Sequence, residues 1–325
     1  MKAVVYHGVG DIRLDEMPDP RLQADTDAVV RISTAAICGT DLHAVRGTQP
    51  GMEPGTIMGH EGVGIVEEMG RQVRNFNYGD RVVIASTVAC GYCSYCRAGY
   101  YSQCDNANPH GKRAGTVYFG GPRETGPLNG LQAERARIPF ANIGMVKIPD
   151  SVTDEQAVVL SDIFPTGYFG AENAEIKPGD TVAVFGCGPV GQCAIASAKL
   201  FDAGRVFAID NQPDRLEMAR AQGAEVINFD ADHPVQSILD LTGGIGVDRA
   251  VDAVGIDSDR PHGGPAAGES EQQAKKLSHP LEELGIKTDG KRTPYQSVFW
   301  ATQALAKAGS LSIIGVYPQN FYFFP

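Results

Sequence analysis

Basic side chains are scarce: 28 Lys and Arg stand against 39 Asp and Glu, a net charge of −11 over 325 residues. Nucleic acids bind to concentrated positive surface, so the sequence argues against such a partner and for a small-molecule one. A basic-then-apolar leader is also missing before the first strand-like run at Lys2–Tyr6, so no signal peptide is expected and the chain reads as cytoplasmic. Uninterrupted apolar stretches are lacking. Thr181–Ala198 is free of charges over about the length of a membrane span, but Gly186, Gly188, Pro189 and Gly191 break it into strand, turn and buried helix, and no membrane is expected. The 39 glycines show no G-X-Y period, which excludes collagen and leaves tight turns. With 42% hydrophobic and 21% charged residues, the chain has apolar material for packed cores and does not resemble a disordered segment. Its length predicts two domains.

The two halves differ in pattern. Short strands separated by turns are predicted at Lys2–His7, Ala28–Ala36, Gly62–Met69, Arg81–Ser86 and Ala133–Pro139, giving a mainly β domain over 1–152. From 153 onward helical spacing begins, and after Thr181 strand and helix alternate. The expected series is strand Thr181–Phe185, helix Val190–Phe201, strand Arg205–Ile209, helix Pro213–Ala221, strand Ala224–Phe229, helix Val235–Thr242 and strand Asp248–Val254. Pro, Gly and charged residues then predict an inserted loop over about 256–294 with a short helix near Glu271–Lys276, before helix Tyr295–Ala308 and strand Ser310–Val316. This is an α/β doubly wound parallel sheet over 153–325. Five strands are counted where six are usual, so the fold is expected to be truncated at the C-terminus, with the aromatic Phe321–Pro325 packing back on the core.

Four of the seven cysteines, Cys90, Cys93, Cys96 and Cys104, form a C-x2-C-x2-C-x7-C series within a lobe at about 88–106. Two-residue gaps let thiolates converge on one point, and four sulfurs close a tetrahedral zinc site with no place for substrate. Disulfides are disfavoured in a cytosolic chain, and a cubane cluster of the ferredoxin kind has its fourth cysteine distant and followed by proline. A structural zinc is the expectation.

Two glycine-flanked segments, Cys38-Gly39-Thr40-Asp41-Leu42-His43 and Gly59-His60-Glu61-Gly62, carry further metal-capable side chains. Either alone is more often a buried group than a ligand. A catalytic zinc takes about three protein ligands and keeps an open position, so a third must come from elsewhere. The candidate is Asp162, following an apolar helical stretch at the expected domain junction; the alternative is that it caps a turn. The remaining histidines, His7, His110, His233, His262 and His279, have no partners at ligand spacing.

Gly186-Cys187-Gly188-Pro189-Val190-Gly191 is a G-x-G-x-x-G between a predicted strand and helix, with Asp210 at the end of the next strand. Glycines let the backbone approach a pyrophosphate, the helix start supplies partial positive charge, and Asp210 can accept from ribose hydroxyls while repelling a 2′-phosphate, which favours NAD. A Rossmann-like domain binding another nucleotide, or none, is the alternative.

Taken together, Gly59-His60-Glu61 through Gly64, Gly79-Asp80-Arg81-Val82 and the four-cysteine lobe make the sequence resemble the zinc-containing medium-chain dehydrogenase/reductase (alcohol dehydrogenase) family over essentially its whole length. Ser161-Asp162-Ile163-Phe164-Pro165-Thr166-Gly167 and the insertion after Val254-Gly255 are most similar to the glutathione-independent formaldehyde dehydrogenase and formaldehyde dismutase branch. The resemblance implies a GroES-like catalytic domain followed by a Rossmann NAD-binding domain, with two zinc ions per chain, and pairing as a homodimer or homotetramer. It implies Cys38, His60 and Asp162 on the catalytic zinc, Glu61 beside it, and Thr40 and His43 passing a proton outward. It also implies that Arg215 meets the adenosine side and that Pro189 and Val190 line the pyrophosphate turn. The implied reaction is hydride transfer from a small alcohol or an aldehyde hydrate to NAD, or dismutation if NAD never leaves. A polyol or threonine dehydrogenase and a non-catalytic NAD-binding zinc protein are the alternatives.

Overall fold

The computed structural model describes residues 1–283 and 292–317, with side chains left aside over 278–283. Its contacts divide it into two compact units, Met1–Asp162 and the remainder from Ile163 onward. Unit one extends ten residues past the change of sequence texture at 152/153, for a packing reason. The helix Asp154–Val158 buries Ala157 and Val158 against Val63, Val83 and Ile148 of the β domain.

Within the first unit, β1 (Lys2–Gly8) and β2 (Asp11–Glu16) form an antiparallel hairpin turning through Gly10 at φ 75°. β2 was not foreseen, because its Asp-Ile-Arg-Leu-Asp-Glu run lies exposed and carries no buried apolar face. The main sheet joins β3 (Ala28–Ala35), β4 (Gly62–Met69), β5 (Arg81–Ile84), β6 (Arg135–Ile138) and β7 (Met145–Lys147) in the order β6-β3-β4-β5-β7, all antiparallel. Alternate residues of these strands fill one core: Val30, Val66, Val82, Ile84 and Ile138 pack with Phe119 and Leu131 from the long connection. Gly64 is required where β4 crosses β3, because a Cβ there would run into the Arg31 carbonyl oxygen.

Five parallel strands make the second unit's sheet: β8 (Thr181–Phe185), β9 (Arg205–Asp210), β10 (Glu225–Asn228), β11 (Val247–Asp252) and β12 (Leu305–Ile313). Their order, β10-β9-β8-β11-β12, is that of a doubly wound nucleotide fold, reversing between β8 and β11. Helices cover both faces, so the central strands β8 and β9 are buried on both faces instead of alternating. On one face Val182, Val184, Val206 and Ala208 meet Ala194, Ile195 and Ala198 of helix Pro189–Leu200; on the other, Ala183, Phe185, Phe207 and Ile209 meet Ile238, Trp300 and Ala301.

Two expectations need correction. The insertion holds a 17-residue helix, Ala267–Glu283, where only a short one near Glu271–Lys276 was read. The following helix runs Gln296–Ala304 and not to Ala308, since β12 begins at Leu305 and Ala308 adopts φ 63°, which a helix cannot continue through. The expected packing of Phe321–Pro325 lies outside the described residues. Among the described residues no helix is long and apolar enough to cross a membrane.

One ion pair secures helix Asp154–Val158 to the sheet. Asp154 accepts from the Ser33 hydroxyl at 2.6 Å and from Arg81 Nη2 at 2.6 Å, and these two partners hold its carboxyl below the ordinary carboxylate range. A carboxylate with a depressed folded pKa contributes fully above its unfolded value of about 4 and loses that contribution as pH falls through the folded one. Asp154→Asn is therefore expected to lower Tm at neutral pH, with the gap from the parent chain closing as the medium is acidified below about pH 4. A gap that stays constant in thermal melts across that range would remove the ion pair from the account.

Candidate active site and metal centres

The register of β3 against β4 assembles the first centre. Ala35 pairs with Gly62, which brings the segment leaving β3 at Cys38 beside the segment entering β4 at His60 and Glu61. Asp162 arrives on a stretch tied to the end of β5, where the Ser86 N–H donates to the Ser161 carbonyl at 3.1 Å. One donor atom from each of Cys38, His60, Glu61 and Asp162 lies within 4.8 Å of all the others. Asp162 Oδ2 is 3.2 Å from His60 Nε2 and 3.5 Å from Cys38 Sγ, and its Oδ1 is 3.5 Å from the Ser86 hydroxyl. The three distant stretches singled out in the sequence thus meet at one point.

The chemistry of this cluster fits a cation. Glu61 is 1% exposed, and its Oε1 has no hydrogen-bond partner among the described residues. Burial, and then the neighbouring Asp162, push its carboxyl up to about 7. Burial alone would depress the His60 imidazole, but hydrogen bonds to Asp162 and Cys38 outweigh it and hold the ring well above its ordinary value. Two carboxyls and a thiol crowded away from water around one imidazole are electrostatically unfavourable by themselves. A divalent ion of the N/S/O-binding type would satisfy all four.

Cys38 caps the short helix Gly39–Arg46, which was not foreseen because its eight residues carry little apolar periodicity. Asp41, at the third helical position, accepts from the Cys38 N–H at 3.0 Å and from Gln132 Nε2 at 3.1 Å, so it fixes the ligand loop from behind. The acid three residues after a cap position was the signal available for it. Thr40 sits beside the cluster, its Oγ1 3.7 Å from Cys38 Sγ. His43 lies one turn along, 6% exposed, with Nδ1 3.3 Å from the Thr48 hydroxyl, so the ring meets Thr48 and not open solvent. Tyr118, unremarked in the sequence, sets its ring edge-on to His60 at 5.8 Å, and its hydroxyl accepts from Gln49 Nε2 at 2.6 Å. No local pattern announces it, since its partners lie 58 and 69 positions away.

The second centre is the four-cysteine lobe. Cys90, Cys93, Cys96 and Cys104 each direct a sulfur to a common point, and Cys90 and Cys96 sulfurs are 3.9 Å apart. That is far beyond a disulfide bond and close to the S···S edge of about 3.8 Å that four bonds of about 2.3 Å around zinc require. All seven cysteines are free thiols. The sulfurs accept N–H groups of Cys90, Cys93, Cys96 and Asn106 at 3.3–3.4 Å, with the Asn106 amide on Cys90 at 3.2 Å. The Cys96 N–H draws the Cys93 thiol down to about 6, whereas burial pushes Cys96 up to about 12. Unlike the first centre, this one draws all four of its donors from cysteine sulfur.

In the second unit, the glycine turn follows β8 as read. Gly186 has φ 87°, Gly188 caps helix Pro189–Leu200, Pro189 and Val190 open it, and a Cβ on Gly191 would run into the Gly186 carbonyl oxygen. Asp210 ends β9 with 4% exposure; it accepts the Cys187 N–H at 2.7 Å and the N–H groups of Asn211 and Gln212 at 2.8 and 2.9 Å. Arg215 Nη1 stands 3.6 Å from the same carboxylate. Of the histidines set aside in the sequence, His7, His233 and His262 pair with Asp15, Glu269 and Asp230, and His110 bonds the Arg123 carbonyl; the His279 side chain is outside the description.

Known proteins are similar to this chain in sequence and in fold. A family model described as the alcohol dehydrogenase GroES-like domain matches residues 24–150, and one described as zinc-binding dehydrogenase matches residues 189–261. An uncharacterised zinc-type alcohol dehydrogenase-like protein of Bacillus subtilis is 38% identical, with 100% of this chain and 82% of that protein covered. The glutathione-independent formaldehyde dehydrogenase of Pseudomonas aeruginosa is 39% identical over 81% of this chain and 67% of its own length. Among solved structures, alcohol dehydrogenase TADH from Thermus sp. ATN1 superposes with a TM-score of 0.77 at 34% identity, covering 100% of this chain and 80% of that one. The chain therefore belongs to the zinc-containing medium-chain dehydrogenase/reductase family, the family of the zinc-type alcohol dehydrogenases.

Proposed function

We propose that the protein is an NAD-linked dehydrogenase of small alcohols or aldehyde hydrates, formaldehyde-like in size, with a catalytic zinc on Cys38, His60 and Asp162 and a structural zinc on Cys90, Cys93, Cys96 and Cys104. The observation that carries the reading is the four-donor cluster with its unpartnered Glu61 oxygen. The 39% identity to a formaldehyde dehydrogenase supports the substrate class.

A zinc ion held by Cys38, His60 and Asp162 would polarise a substrate oxygen as a Lewis acid. Thr40, with its hydroxyl beside the cluster, would accept the substrate hydroxyl proton, and a bound nicotinamide would supply the acceptor for the carbinol hydride. His43, bonded to Thr48, takes the proton onward. The products are a carbonyl compound, NADH and one proton; an aldehyde hydrate gives a carboxylic acid by the same transfer. Glu61, buried next to the ligands, offers a fourth donor when no substrate oxygen is present. The glycine turn would seat the pyrophosphate, and Asp210 would take the ribose hydroxyls and disfavour a 2′-phosphate, with Arg215 along the adenosine. Pairing as a homodimer or homotetramer belongs to the same proposal.

Elemental analysis is expected to find about two zinc ions per chain, falling to about one in Cys96→Ser along with a lower Tm. Unchanged metal content in that variant would remove the closed centre. For turnover, NADH absorbance should rise on adding formaldehyde or a short primary alcohol with NAD, and much less with NADP. Asp162→Ala should lower kcat/KM by about 10²–10⁴ while the lobe keeps its ion. Full activity in Asp162→Ala would sink the proposed ligand set, and a preference for NADP would sink the role of Asp210.

A further inference from the structure

Asp252, the last residue of β11, has no role in the account so far. It is 0% exposed, and burial raises its carboxyl above the ordinary range. No salt bridge compensates it among the described residues. Its partners come instead from two loops and from helix Gln296–Ala304. Oδ1 accepts the Val254 N–H at 3.2 Å, in the loop that leaves β11, and Oδ2 accepts the Tyr317 hydroxyl at 2.8 Å, in the segment that leaves β12. Ser297 places its hydroxyl against the carboxylate and 3.5 Å from the Tyr317 oxygen, while the Tyr317 ring stacks on Tyr295 with centroids 5.0 Å apart and planes at 14°.

The backbone bonds tie the same two segments. Ile314 and Gly315 N–H groups donate to the Asp252 carbonyl at 3.0 and 3.1 Å, and Ile256 N–H donates to the Val316 carbonyl at 2.9 Å. The contact is close enough that glycine is needed on both sides: a Cβ on Gly255 would meet Val316 backbone at 2.7 Å, and one on Gly315 would meet Asp252 Oδ2 at 2.7 Å. A third tie, Ala253 N–H to the Phe185 carbonyl at 2.9 Å, joins the β11 loop to the start of the glycine turn.

Position in the sheet gives the tie a purpose. In doubly wound sheets ligands lie at the carboxyl ends of the strands where the order reverses, here between β8 and β11. A dinucleotide with its pyrophosphate on Gly186–Gly191 and its adenosine ribose at Asp210, beyond β9, must lay its other half over the loops that follow β11 and β12. The backbone geometry of those loops depends on the hydrogen bonds that tie them together. We propose that Asp252 and Tyr317 are positioning residues for the nicotinamide half of the cofactor, their buried hydrogen bond fixing the backbone of 253–256 against that of 314–317. The inference rests on the glycine turn being a dinucleotide site.

The test compares NADH with ADP-ribose, which lacks the nicotinamide half, by titration calorimetry on the full chain and on Tyr317→Phe, which keeps the Tyr295 stack. The variant should bind NADH about tenfold more weakly, a loss of the size one buried hydrogen bond to a charged group commands, with ADP-ribose affinity changed less than about twofold. Equal weakening of both ligands, or a lower Tm with unchanged NADH affinity, marks a purely structural pair and overturns the proposal. Should Tyr317→Phe not fold, Ser297→Ala, which removes the hydroxyl beside both groups, is judged by the same NADH-selective loss. A parent chain that binds neither ligand overturns the dinucleotide reading itself, a result distinct from failure of the tie, in which the parent binds both.

Discussion

Charge crowding at the first centre is the constraint on which the catalytic unit depends. A thiol, an imidazole and two carboxyls share a space under 4.8 Å across, with Glu61 and His60 almost wholly shielded from water. Removing such groups from solvent costs several kcal/mol each after relaxation, and His60 is the one member of the four that can carry positive charge. The arrangement is therefore stable to the extent that the rest of the unit enforces it. The β3–β4 register fixes two of the segments, the Ser86–Ser161 backbone bond fixes the third, and Asp41 with Gln132 braces the Cys38 loop. Cys38 lies just beyond β3 and His60 and Glu61 just before β4, so a change in that register would separate the two segments.

How much of this could be read beforehand depended on the range of the signal. Cys90, Cys93, Cys96 and Cys104 announce a shared ion by spacing alone, because the ligands are held by their own short loop. β8 and β9 are apolar on both faces and, with β11, stand in regular alternation with helices, so the parallel sheet was legible to within one or two residues at most strand ends. β2 was not, since an exposed hairpin strand buries nothing that periodicity could detect. Helix Gly39–Arg46 escaped notice for a related reason: it is held by its capping loop and by Asp41 more than by an apolar stripe. At its other end the chain shows the reverse error, where the helical pattern was carried past Ala304 although Leu305–Ile313 pairs along β11. Pairing with a strand some 60 positions earlier overrides local propensity, and a single sequence does not display it.

Cys38, His60 and Asp162 occupy the middle of that scale. Each stretch looked metal-capable, but only a fold could say that they converge, and residues that act through them, such as Tyr118 and Gln132, have no local signature at all. The family resemblance supplied what spacing could not. It implies the ligand set, and three segments separated by 22 and 102 positions bring their donor atoms within 4.8 Å of one another, which no motif by itself requires.

The buried carboxylates show why the same side chain does different work in the two units. Asp210 accepts three backbone N–H groups, and Asp252 accepts a backbone N–H and a phenol. Each is a negative centre already surrounded by donors, which suits it to shape the backbone beneath a ligand and leaves little demand for a cation. Glu61 Oε1 has no donor among the described residues, and Asp162 faces a thiol and an imidazole. The donor supply thus separates Asp210 and Asp252, whose oxygens organise loops, from Glu61, whose Oε1 is without a partner among the described residues. Burial alone does not make the distinction: Asp252 and Glu61 are both shielded from water, yet Glu61 stands in the four-donor cluster and Asp252 among loop donors.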